Sequence, residues 1–180
     1  MVKERGNHLP LGSGSSTEET ERRVKIALKA LVDGKMTDIE GASIFFKYFF
    51  LRLKPMYHDT PTIANTIKNA IQDQQVGLVV PKIVDVVLQI NTINDLQFKN
   101  GVTIKTPTLI FENLQVIEEV LLGYATFPEM LIAKKLKIKK LAKILKWMAP
   151  IAAIQTEEML QKVHEEDVAL MATLLEELGY

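Results

Sequence analysis

The chain contains no cysteine among its 180 residues. Disulfide bonds, thiolate metal sites and cysteine nucleophiles are therefore excluded, and cysteine usage gives no sign of an oxidising compartment. An excess of one charge is also missing, because 22 basic residues balance 22 acidic residues. A protein that binds nucleic acid over its whole surface is usually strongly basic, so we expect any contact with nucleic acid to be limited to a local patch.

A long hydrophobic run is missing as well. The most apolar stretch, residues 42–53, is interrupted by Lys47 and Arg52 and is too short to cross a bilayer. The first residues do not contain the apolar segment of a secretory signal peptide. We therefore expect no membrane span and a cytoplasmic location, or a virion location if the chain is a coat subunit.

Motifs for catalysis and for metal binding are not found. The three histidines, His8, His58 and His164, are far apart, and none has a metal-ligating residue at helical spacing. The chain has no phosphate-binding loop, dinucleotide fingerprint or nucleophile elbow. The carboxylate clusters at 118–119 and 165–167 fall on the polar sides of predicted helices, where solvated charge is the usual role. The sequence predicts a protein that is not an enzyme and that binds neither a metal nor a cofactor.

Start and stop signals divide the chain into an arm and one domain. Residues 1–15 are rich in glycine and serine and have few apolar side chains, which is typical of a flexible or partner-held arm. Residues 16–180 are predicted to form one helical domain. Ser16 and Thr37 each precede a glutamate by three residues, which is the capping box that begins a helix.

The predicted fold is predominantly all-α: a single-core helical bundle of about six or seven helices with one short β-hairpin. The hairpin is expected at 96–105, where Asn100-Gly101 is a two-residue turn signal. Residues 78–90 are ambiguous, because their β-branched side chains favour a strand and their spacing also fits a buried helix. The helical neighbours favour the helix. An aromatic-rich helix around residues 45–50 is expected to lie in the core.

The most distinctive stretch runs from Phe127 to Met148 and carries seven lysines between Lys134 and Lys146. As one helix it would place lysines among apolar side chains, so we expect a break near Lys137. Two short helices, the second of them basic, outline a helix-turn-helix. The candidate nucleic-acid-binding residues are Lys135, Lys139, Lys140, Lys143 and Lys146. They would contact phosphates, because lysine supplies charge but no bidentate base reading.

An acidic last helix, expected from Glu157 onward, offers a second role for these lysines. Folded back along the basic helix, it would neutralise their charge within the molecule. Its apolar line, which runs to the C-terminus, could instead dock on a partner, and the candidate partner-binding residues are Leu170, Leu174 and Leu178.

Three functions are compatible with these patterns. The first is a non-enzymatic structural or assembly subunit that self-associates and contacts nucleic acid, as a coat protein or nucleoprotein does. The second is a helix-turn-helix regulator that binds DNA through residues 127–148. The third is a helical adaptor that binds another protein through the last helix.

Overall fold

A computed structural model describes residues 15–53 and 60–180. Within these ranges the chain forms seven helices and one five-stranded sheet, so the fold is mixed α/β. The predicted all-α helical bundle is therefore wrong. The predicted arm, residues 1–15, lies outside the described residues except for Ser15, which begins the first helix.

The helices are α1 (Ser15–Val32), α2 (Asp38–Leu51), α3 (Pro61–Ile71), α4 (Leu114–Leu121), α5 (Phe127–Ile132), α6 (Leu141–Ala153) and α7 (Glu157–Glu177). The strands are β1 (Gln74–Val80), β2 (Val84–Thr92), β3 (Asp95–Asn100), β4 (Thr108–Phe111) and β5 (Leu136–Lys139). Their order across the sheet is β3-β2-β1-β4-β5. Only the central pair β1–β4 is parallel, and the other three neighbouring pairs are antiparallel.

Residues 78–90, for which a helix was predicted, instead belong to the hairpin of β1 and β2. The turn between these strands contains Pro81 and then Lys82, which has a φ of 68°, and the Ile83 N–H donates to the Val80 carbonyl at 3.0 Å. A proline followed by a residue with positive φ is the pattern of a type II turn. The β-branched composition was the correct signal, because such side chains pack well on a pleated surface.

The predicted hairpin at 96–105 is also wrong. Its first half is β3, but β3 forms an antiparallel pair with the preceding strand, β2, through the turn at residues 93–94. Gly101 does adopt the positive φ, 87°, that the turn signal implied. Its N–H donates to the Asp85 carbonyl at 2.8 Å, so the chain leaves the sheet there instead of folding into a partner strand.

The helices that contact the sheet are α2, α3, α4 and α5, whereas α1 and α7 pack against other helices. The strand positions on one face of the sheet are buried and apolar, and they include Val76, Leu78, Val86, Leu88, Leu109 and Phe111. Helix α2 packs on β2 and β3. Its Phe45 ring lies 5.5 Å from Phe111 of β4, so the aromatic helix is central to the core, as the sequence predicted.

The opposite face of the sheet is crossed by the connection from β3 to β4, residues 101–107. Val102 of this connection lies over Gly77 of β1, and Gly77 donates its N–H to the Pro107 carbonyl at 2.7 Å. Polar side chains occupy much of the remaining face; Gln75, Gln97, Lys99, Lys137 and Lys139 are exposed there. One face of the sheet thus holds the core and the other faces solvent.

The capping signals located most helix starts. Thr37 and Glu40 form the predicted capping box of α2, with the Glu40 N–H donating to Thr37 Oγ1 at 3.2 Å. Pro61 occupies the first turn of α3. Residues 108–121 contain strand β4 and then helix α4. Asn113, whose side-chain oxygen accepts from the Val116 N–H at 3.1 Å, starts α4.

Candidate apolar ligand cavity and lysine surface

An apolar cavity of about 250 Å³ lies between the sheet and helices α2, α5 and α6. Every side chain that lines it is a hydrocarbon, a proline, a thioether or an indole: Phe45, Phe46, Phe49, Val76, Leu109, Phe127, Pro128, Leu131, Ile138, Leu141, Ile144, Leu145, Trp147 and Met148. Protein interiors are normally packed with few voids larger than a water molecule. A wall of this composition gives water no hydrogen-bond partners, so the space suits an apolar guest.

Three helices and three strands build the wall of the cavity. Helix α2 contributes three phenylalanines, and α5 contributes Phe127, whose ring lies 6.4 Å from that of Phe49. A capping box holds the start of α5, because the Thr126 N–H donates to the Glu129 carboxylate at 2.8 Å. Strand β5 supplies Ile138 from the sheet, and α6 covers the cavity on its remaining side.

The mouth of the cavity is marked by leucines that both line it and reach solvent. Leu131, Leu141 and Leu145 are 38%, 45% and 49% exposed. The neighbouring Ile132 is 83% exposed. Exposed aliphatic side chains of this number around one opening are unusual for a surface without a ligand or partner.

Trp147 is the single tryptophan of the chain and lies in the cavity wall. Its side chain is 5% exposed, and its Nε1–H has no hydrogen-bond partner in the described structure. A buried donor without an acceptor is costly, and most buried indole N–H groups have one. The position of Trp147 also makes its fluorescence a reporter of the cavity contents.

The lysine-rich stretch does not form a helix-turn-helix. Residues 127–148 form helix α5, strand β5 and the first part of helix α6. Lys134 and Lys140 have φ values of 60° and 56° and lie just before and just after β5. The break expected near Lys137 exists, but it is an extended strand paired with β4. The two helices are therefore not joined by the short turn that places a recognition helix in a DNA groove.

The predicted nucleic-acid-binding lysines occupy different surroundings. Lys135 is half-buried, and its Nζ lies 3.4 Å from a carboxylate oxygen of Glu119. Lys139 belongs to the edge strand β5 and, by its pairing with Thr108, lies on the solvent face of the sheet. Lys140 precedes α6, and Lys143 and Lys146 lie on it. These four side chains are exposed, and none forms an ion pair with another described side chain.

The acidic last helix, α7, packs against α1 and α2, whereas the basic helix α6 packs against α3. The expected antiparallel pairing of the two helices along one seam is thus not the observed packing. Two of the three leucines predicted to bind a partner, Leu174 and Leu178, contribute to the chain's own core. Leu174 is 2% exposed, Leu178 is half-buried against the core, and Leu170 is partly buried.

Within residues 15–53 and 60–180, the side chains that the structure describes include no cluster of three or more histidine, aspartate or glutamate residues arranged to hold a metal ion. In the same ranges, no helix combines the length and the hydropathy of a bilayer span. A second depression, of about 360 Å³, lies between α3 and the turn at residues 92–94, but its wall includes Asn65, Lys68 and Asn94 and is open to solvent.

Five described groups have shifted pKa values, and none of them lines the cavity; they are Glu19, Arg22, Asp33, Glu40 and Tyr124. Hydrogen bonds from Arg22 and Arg23 within α1 hold the pKa of Glu19 down at about 2. A hydrogen bond from Tyr124 to the Glu21 carboxylate, with some burial, raises the pKa of Tyr124 to about 12. The side chains that line the cavity include no titratable group.

The cavity was not predicted from the sequence. The residues that form it were assigned either to the core or to the basic face, because no linear pattern distinguishes a filled core from a core with a gap. The one available signal was the excess of apolar residues around the lysines, which conflicted with a single amphipathic helix. Comparisons of the chain with protein-family models, with curated proteins and with solved structures found no match.

Proposed function

We propose that this chain is a non-enzymatic binding protein that takes up a hydrophobic ligand, of the size of a fatty acyl chain, in the cavity between α2, α5 and α6. The observation that carries the proposal is the all-apolar wall of a cavity of about 250 Å³ that opens to solvent between exposed leucines. An apolar cavity of ~150 Å³ already admits benzene. Removing alkyl groups from water would supply most of the binding free energy.

The mouth favours a ligand with a negatively charged end. Leu141 and Leu145 line the cavity, and the exposed Lys140, Lys143 and Lys146 neighbour them along the chain. No acidic residue occurs between Glu129 and Glu157. An acyl chain in the cavity would leave its carboxylate near these ammonium groups, where the attraction is modest but selective.

A series of fatty acids of increasing length tests the proposal by isothermal titration calorimetry. Each added methylene should raise the affinity roughly fourfold, corresponding to about 0.8 kcal/mol, until the cavity is full. The affinity should then reach a plateau. Affinity that rises with length without a plateau would indicate adsorption on an exposed surface, and undetectable binding at every length would refute the proposal.

Variants with matched volume changes locate the binding site. Leu109→Phe adds a ring to the cavity wall and should lower the affinity at least tenfold. Leu178→Phe adds the same atoms at a half-buried position that does not line the cavity, and it should leave the affinity unchanged. Equal affinities for both variants would place the ligand elsewhere.

The assembly-subunit hypothesis stays a prediction. The exposed lysines still favour contact with a polyanion, and self-association can be measured by light scattering at micromolar concentration. A protein that stays monomeric there would contradict the assembly hypothesis without affecting the proposed ligand cavity.

A further inference from the structure

The surface around the cavity mouth combines two features that the ligand proposal uses only in part. It has exposed aliphatic side chains, of which Ile132 is the most prominent at 83% exposure. It also has four exposed lysines, which lie next to these side chains in the chain and are Lys134, Lys140, Lys143 and Lys146. We call these lysines, together with Leu131, Ile132, Leu141 and Leu145, the mouth surface.

We propose that the mouth surface docks on a bilayer that contains anionic phospholipid. Lysines near such a bilayer gain free energy from its negative surface potential, and aliphatic side chains gain more by entering the acyl boundary. A polyanion without an apolar phase, such as duplex DNA, would satisfy the lysines but would leave Ile132 in water. The combination therefore favours a bilayer over nucleic acid.

Among the described side chains, no ion pair cancels the charge on this surface, because none of its four lysines pairs with a carboxylate. Glu129, the nearest acidic residue in sequence, accepts from the Thr126 N–H and hydroxyl. Glu119 is paired with Lys135, which is not part of the mouth surface. The four lysines are therefore expected to interact with lipid phosphates and carboxylates.

The test is sedimentation of the full chain with two sets of vesicles, one of phosphatidylcholine and one in which part of it is replaced by phosphatidylserine. The protein should bind the second set and not the first. The triple variant Lys140→Gln, Lys143→Gln, Lys146→Gln should weaken this binding roughly a hundredfold, at about fivefold for each lysine. Lys35→Gln, Lys68→Gln, Lys82→Gln removes the same charge from exposed positions elsewhere and should change the binding much less.

The variant Ile132→Gln distinguishes binding to a bilayer from binding to nucleic acid. This change keeps all the lysines and replaces the most exposed aliphatic side chain of the mouth surface. It should weaken vesicle binding about tenfold and leave any binding to duplex DNA unchanged. If Ile132→Gln binds vesicles as the unmodified chain does, or if both triple variants lose binding equally, the docking proposal is overturned.

The ligand proposal and the docking proposal can be tested independently. Leu109→Phe fills the cavity but changes no residue of the mouth surface, so it should bind anionic vesicles normally. Loss of vesicle binding in that variant, with its circular dichroism and thermal midpoint preserved, would mean that the bilayer is recognised through the cavity contents and not through the mouth surface.

Discussion

The ring of Phe127 in α5 lies edge-on to the ring of Phe45 in α2, with centroids 6.3 Å apart and planes at 67°. Edge-to-face pairs of this geometry contribute about 0.5–1.5 kcal/mol beyond simple burial. Both rings line the cavity. The contact therefore fixes the short helix that carries the mouth of the cavity to the helix at the centre of the core.

The close contact between strand β1 and the connection from β3 to β4 can be tested by a rescue experiment. A Cβ at Gly77 would lie 2.8 Å from Val102 Cγ2 and 3.0 Å from Thr108 Oγ1. Gly77→Ala should lower the free energy of unfolding by about 1–3 kcal/mol, because overpacking forces the connection away from the sheet. Urea denaturation measures this change.

Val102→Ala provides the control for that experiment, because it removes the closest atom. The double variant Gly77→Ala, Val102→Ala should recover much of the stability that Gly77→Ala loses. If the two losses simply add, the connection does not lie over Gly77 as described.

The last helix should be required for folding. Leu174 on α7 is 2% exposed within the core, so Leu174→Ala should cost about 2–5 kcal/mol of unfolding free energy. Glu177→Ala on the same helix changes an exposed side chain and should cost less than about 0.5 kcal/mol. If Leu174→Ala is as stable as the unmodified chain and a binding partner is lost, the adaptor hypothesis would be preferred.

Tyr124 should lose its proton at a higher pH than an ordinary tyrosine does. Its pKa is raised to about 12 by its hydrogen bond to Glu21 and by burial. Because folding favours the neutral phenol, its contribution to stability is complete below about pH 10 and is lost as the pH rises toward 12. The ultraviolet absorbance of tyrosinate should therefore include a late step that belongs to Tyr124.

Two variants assign that step. Tyr124→Phe should abolish it, and Glu21→Gln should shift it toward pH 10 by removing the negative charge beside the phenol. A step that persists in Tyr124→Phe would belong to another tyrosine.

Some elements could be predicted because their signals are local. The capping box predicted at Thr37 joins a side chain to a backbone group three residues away, and it is present in the structure. The burial of the phenylalanines of α2 followed from composition and spacing alone. Signals of this kind do not depend on what the rest of the chain does.

The sheet was missed because its pairing is not local. Residues 108–111 have the composition of a buried helix turn, and only their pairing with β1 and β5 makes them a strand. The ends of β5 were hidden in another way. Lys134 and Lys140 adopt the left-handed conformation that glycine usually marks, so the sequence contains no visible stop for α5 and no visible start for α6.

The cavity is best tested through Trp147, the single tryptophan, which forms part of its wall. Bromine quenches indole fluorescence only at contact distance. A fatty acid brominated at mid-chain should therefore quench the fluorescence of Trp147. The quenching should saturate as the acid is added, and half of it should be reached at the dissociation constant that calorimetry gives. The unbrominated acid should restore the fluorescence by competing for the site. If the calorimetric binding occurs without quenching, or if quenching persists undiminished in Leu109→Phe, the ligand does not occupy the cavity between α2, α5 and α6 and the account is contradicted.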